Sequence, residues 1–86
     1  MDENEAEYRT DSLGLAAVLV TAGFPLVRIE GDLPRHGEFV FRREASLEEM
    51  VSAYRNGTLK LPAFHLVVQL KAIKDRLYEE ARIRQP

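Results

Sequence analysis

The sequence predicts an α+β domain in which an antiparallel hairpin, extended by a third strand in one reading, packs against three helices. Three observations lead there. An almost unbroken apolar run, Leu13 to Ala22, lies between helix-start and helix-stop residues. Two short alternating stretches follow Pro25, separated by a loop with two glycines. Two segments with apolar residues at helical spacing then close the chain. The element order expected is α-β-β-(α)-(β)-α, filling residues 10–84 as a single domain behind a disordered acidic tail at residues 1–9.

In that tail Asp2, Glu3, Glu5 and Glu7 are read as a solvated, frayed terminus rather than a mimic of nucleic acid. Thr10, Asp11 and Ser12 can each accept from a free N–H of a first helical turn, so the first helix starts after them. Gly23 supplies its left-handed stop. This helix is apolar almost all round, interrupted only by Gly14 and Thr21. It therefore needs cover on most sides.

Leu26 to Glu30 alternates and reads as a strand; Glu38 to Arg42 reads as its partner, across a loop of about seven residues containing Asp32, Pro34, Gly31 and Gly37. An even register places Val27, Ile29, Phe39 and Phe41 on the core side. Ser46-Leu47-Glu48-Glu49 has the form of a capping box. The helix it opens carries Leu47, Met50, Val51 and Tyr54 on one stripe and ends at Asn56-Gly57. Thr58-Leu59-Lys60-Leu61 is either a third strand or a plain connector. Pro62 suits the first position of the last helix, which runs to about Arg82 with Ala63, Leu66, Val67, Leu70, Ile73, Leu77, Tyr78 and Ala81 as a broad apolar stripe. Phe64 and Val68 widen it, and Lys74 lies within it as a snorkelling side chain.

Composition narrows the chemistry. The chain has 86 residues, 12 basic and 14 acidic, a net charge of −2 and no cysteine. Disulfides, thiolate metal sites and cysteine nucleophiles are excluded. The near-neutral balance gives no general attraction to nucleic acid or anionic lipid. The longest apolar run is far shorter than the roughly 20 residues that span a bilayer. A soluble, cytoplasmic protein is expected.

The run Ser12 to Phe24, then Ile29-Glu30-Gly31, Phe39-Val40-Phe41 and Leu47 to Gly57, resembles a family of small bacterial, archaeal and phage proteins catalogued as a domain of unknown function. The similarity extends over roughly residues 12–78, closing with a helix like Ala63-Phe64 through Leu77-Tyr78. The family often has tryptophan where this chain has Arg55. The resemblance implies a microbial or phage setting and supports the element order. It carries over no activity and no catalytic residue.

No convergent catalytic set stands out, so the expectation is a protein that is not an enzyme, with no cofactor and no metal. His36 shares the hairpin loop with Asp32, Arg35 and Glu38, and reads as solvated. His65 falls on the polar side of the last helix. The basic residues Arg28, Arg35, Arg42, Arg43 and Lys60 form the one candidate nucleic-acid face, opposed by interspersed Glu30, Glu38 and Glu44 and by the lack of an aromatic stacking platform. Two strands cannot cover both the first and the last helix. Either the first helix is sandwiched inside the chain or a second copy completes the core. A homodimer is the expected partner arrangement, alongside an unidentified protein, with Leu61, Phe64 and Val68 at the interface. The function expected is therefore a non-catalytic, self-associating interaction module, with nucleic-acid binding as the alternative.

Overall fold

The computed structural model describes residues 6–84. Its elements are β1 (Glu7–Thr10), α1 (Leu13–Thr21), β2 (Leu26–Asp32), β3 (His36–Arg42), α2 (Ala45–Asn56) and α3 (Ala63–Arg84). The three strands form one antiparallel sheet in the order β1-β3-β2. The α+β class is as expected; the order is β-α-β-β-α-α.

The third strand comes from the part of the chain read as a tail. Glu7 to Thr10 pairs with β3 from Arg42 back to Phe39. Residues 1–5 lie outside the described residues, so the tail is corrected only over Glu7, Tyr8 and Arg9. The physical reason is the free edge of β3: a strand so short holds only when an existing strand offers it a ladder and a core face. Tyr8 supplies the core contact. Residues 58–61 form no strand and serve as the connector between α2 and α3.

The hairpin is tighter than its composition suggests. Pairing continues through Glu30↔Glu38, Gly31↔Gly37 and Asp32↔His36, leaving Leu33, Pro34 and Arg35 as the turn. A bulge between Leu26 and Arg28 breaks the alternation. It sets Leu26 opposite Phe41 and turns Val27 outward, 48% exposed. The inward set is thus Leu26, Ile29, Phe39 and Phe41, not Val27.

α1 is held at its start by Ser12, whose Oγ accepts from the Leu15 N–H at 3.0 Å. Leu15, Ala16, Ala17 and Leu19 join Ile29, Phe39, Phe41, Leu47, Val51 and Ile73 in one buried cluster. The all-round apolar helix is therefore covered within its own chain, between the sheet and the other two helices. α2 begins at Ala45, one residue before the expected cap. Its N-cap is Glu44, with no side-chain cap, and the Ser46 hydroxyl donates to the Glu44 carboxylate at 3.0 Å instead. Gly57, at φ 71°, closes the helix.

α3 meets the fold along a narrower line than its apolar stripe. Ile73 and Ala81 are buried, and Leu66 and Leu77 pack against the core. Val67, Leu70 and Tyr78, expected inside, are exposed. The apolar band is simply wider than one helix-on-helix contact can bury. At the far end, Arg84 Nη2 donates to the Ile29 carbonyl at 2.5 Å and ties α3 to β2.

Candidate functional site

Three surfaces carry the residues of interest. The first is the outer face of the sheet. Pairing of Arg9 and Arg28 to Val40 from either side puts Glu7, Arg9, Arg28, Glu30, Glu38 and Arg42 on this face. Val40 lies among them and is fully buried, roofed by long charged side chains.

The charges neutralise one another. Arg28 Nη1 is 2.7 Å from Glu7 Oε2, and its Nε donates to Glu30. Arg9 reaches Glu30 at 2.6 Å, Glu7 at 3.1 Å and Glu38 at 3.4 Å. The hydrogen bond from Arg28, against a desolvation cost, holds the Glu7 carboxyl below its ordinary range. Those from Arg9 and Arg28 do the same for Glu30. In turn Glu7, then Glu30, raise Arg28, while Glu30 raises Arg9.

The structure does not gather the candidate nucleic-acid residues into one basic patch. Arg28 is engaged as above. Arg43 pairs with Glu48 at 3.4 Å and lies over the Tyr8 ring at 5.8 Å. Arg42 is on the outer face and exposed, Arg35 is in the hairpin turn, and Lys60 is in the α2–α3 connector.

The second surface is the outer side of α3. Phe64 is 76% exposed and Val67 63%; Val68, Leu70 and Tyr78 are also exposed. Of the expected interface residues, Phe64 and Val68 stand on this side. Leu61 does not: it is half-buried and lines a small apolar groove with Val18, Tyr54, Leu59 and Leu66.

The third surface is a cleft of about 690 Å³ at the hairpin tip. Its walls come from the turn (Arg35), the start of β3 (His36), the junction of β1 and α1 (Asp11, Leu13), the end of α2 (Arg55) and Leu77 of α3. Nothing in the sequence pattern calls for a pocket around His36. It forms because β1 carries the chain across the sheet and delivers the start of α1 beside the turn.

A family model described as Domain of unknown function (DUF5659) matches residues 5–79. The chain belongs to this family. The DUF5659 match begins upstream of β1, so it takes in the strand as well as the helices and hairpin. No curated protein and no solved structure matches the chain. Among the described residues of this DUF5659 domain, no three histidine, aspartate or glutamate side chains converge as metal ligands. None of its described helices is long and apolar enough to cross a membrane.

Sequence reasoning passed over three residues of these surfaces. Glu7 and Arg9 are central to the ion-pair face; their signal was the two-residue alternation of Glu7-Tyr8-Arg9-Thr10, hidden in an acidic stretch. Arg55 walls the cleft, and no local pattern announces that.

Proposed function

We propose that this chain is a non-catalytic accessory module that works by binding protein, first of all a second copy of itself, through the outer side of α3. The observation that carries the reading is a stripe at alternating four- and three-residue spacing: Phe64, Val68, Lys71, Asp75, Tyr78 and Arg82, every one exposed. That spacing is the seam of a helix that packs lengthwise against another helix.

The stripe is self-complementary. Two copies of α3 laid antiparallel about a two-fold axis set Lys71 of one against Asp75 of the other, twice. The same register sets Val68 against Tyr78 and Phe64 against Arg82, a cation over an aromatic face. The apolar positions supply the attraction and the charges supply the register. The resemblance to microbial and phage proteins and the cysteine-free composition favour a microbial or phage cytoplasm as the setting.

Sedimentation velocity at micromolar concentration tests this. The expected result is a dimer, converted to monomer by Phe64→Glu with an unchanged circular dichroism spectrum. A wild-type protein that stays monomeric throughout the range removes the reading. Nucleic-acid binding through Arg35, Arg42 and Lys60 is the weaker alternative, because Arg28 and Arg43 already serve internal carboxylates. It requires a mobility shift that weakens steeply with salt and with Arg42→Ala.

A further inference from the structure

We propose that the hairpin-tip cleft is a binding site for a small organic anion, its phosphate or carboxylate head between Arg35 and Arg55 and a flat apolar body over Leu13 and Leu77. The two arginines stand on different elements, the β2–β3 turn and the last turn of α2, and both line the cleft. Neither forms an ion pair among the described residues. By contrast, Arg9 at the cleft's edge is already shared among Glu7, Glu30 and Glu38.

Arg9 is neutralised by its own carboxylate partners, Glu38 among them, which leaves Arg35 and Arg55 against the one remaining carboxylate of the lining, Asp11. An excess of positive charge in a concave site favours an anion. The planar fork of a guanidinium matches two oxygens of a phosphate or carboxylate at once, and two such forks fix the head from two sides.

The polar lining is interrupted by an apolar part for a structural reason. Gly37 has no side chain, and a Cβ there would sit 2.9 Å from Leu77 Cδ1. Leu77 therefore reaches in under the turn. With Leu13 it gives a hydrophobic surface beside the two cations, the usual division of labour in a small-molecule site.

The test is a titration followed by amide NMR, with phenyl phosphate as the probe and inorganic phosphate, phenol and benzoate as its parts and analogue. Phenyl phosphate is expected to move the amides of Thr10 to Leu13 and of Arg35 to Gly37 saturably, and to bind more tightly than inorganic phosphate or phenol alone. Whichever of phenyl phosphate and benzoate binds more tightly identifies the head group. Arg35→Gln and Arg55→Gln are each expected to weaken binding about tenfold, the loss of one charge-assisted contact. Both residues lie off the α3 stripe, so sedimentation of the variants should match wild type and failure here leaves the self-association reading standing. The proposal is overturned if neither probe saturates, if sodium chloride at equal ionic strength moves the same amides, or if the double variant binds as wild type does.

Discussion

Arg28 Nη1 lies 2.7 Å from Glu7 Oε2, and this pair joins β2 to β1 over the strand between them. The side chain beneath the bridge is Val40, which is as buried as the phenylalanines on the opposite face of β3. The sheet thus has a core on one side and a single shielded methyl pair on the other.

The value of that shield is measurable. Val40→Ala should cost about 2 kcal/mol, the transfer of two methyl-sized groups plus part of a cavity. Phe41→Ala, in the main cluster, should cost about 3–5 kcal/mol. Arg28→Ala should lower the urea midpoint too. Because it opens the roof over the same residue, its effect and that of Val40→Ala should be non-additive in a double-mutant cycle.

Stability should also fall in acid. The Glu7 and Glu30 carboxyls sit below their ordinary value of 4.5 in the folded protein. They bind protons more weakly folded than unfolded, so their contribution is complete above the ordinary value. It is lost as pH falls through their lowered folded values. Urea midpoints measured across this acid range should decline, and Glu7→Gln should flatten the decline. High salt should shrink the effect, since these side chains are partly solvated.

The antiparallel α3 register proposed for self-association makes a prediction of its own. Lys71→Asp alone and Asp75→Lys alone each set like charges together twice in the dimer, and each should weaken association several-fold, given roughly 0.2–1 kcal/mol per exposed pair. The double exchange, Lys71→Asp with Asp75→Lys, should restore it. Sedimentation equilibrium of the four proteins reads this directly. A double exchange no better than either single change would mean that the helices meet in another register.

Two glycines with positive φ should respond differently to alanine. Gly57, at φ 71°, has open space around its missing Cβ, so Gly57→Ala should cost about 1 kcal/mol of left-handed backbone strain. At Gly31, φ 103°, a Cβ would fall 2.1 Å from the His36 carbonyl oxygen. That oxygen belongs to the paired strand and cannot swing aside. Gly31→Ala should therefore cost about 3 kcal/mol and disturb the hairpin turn, visible as shifts in the amides of Leu33 to Gly37.

The helices and the hairpin were legible because local chemistry decides them. Ser12 and Gly23 bracket α1, Gly57 ends α2, and Phe39 and Phe41 mark the inward face of β3. What was hidden depends on neighbours distant in sequence. Glu7 to Thr10 has little strand character alone, and becomes a strand because β3 offers an edge and Arg28 offers Glu7 a partner. Val27 fits the alternation and is displaced by a bulge that no residue type signals. On α3 the apolar band was visible in the sequence. Which flank of it would meet α1 was not, since Val67 and Leu66 are equally good candidates until the packing angle is set.

Arg84 on the Ile29 carbonyl has a consequence for aggregation. Among the described residues β2 is paired on one side only, and a lone strand margin invites foreign chains to add on. Here the margin is kinked at Val27 and straddled by a guanidinium two residues later. An incoming strand would find no straight run on which to lie. Assembly on that side is thereby discouraged from growing into fibres.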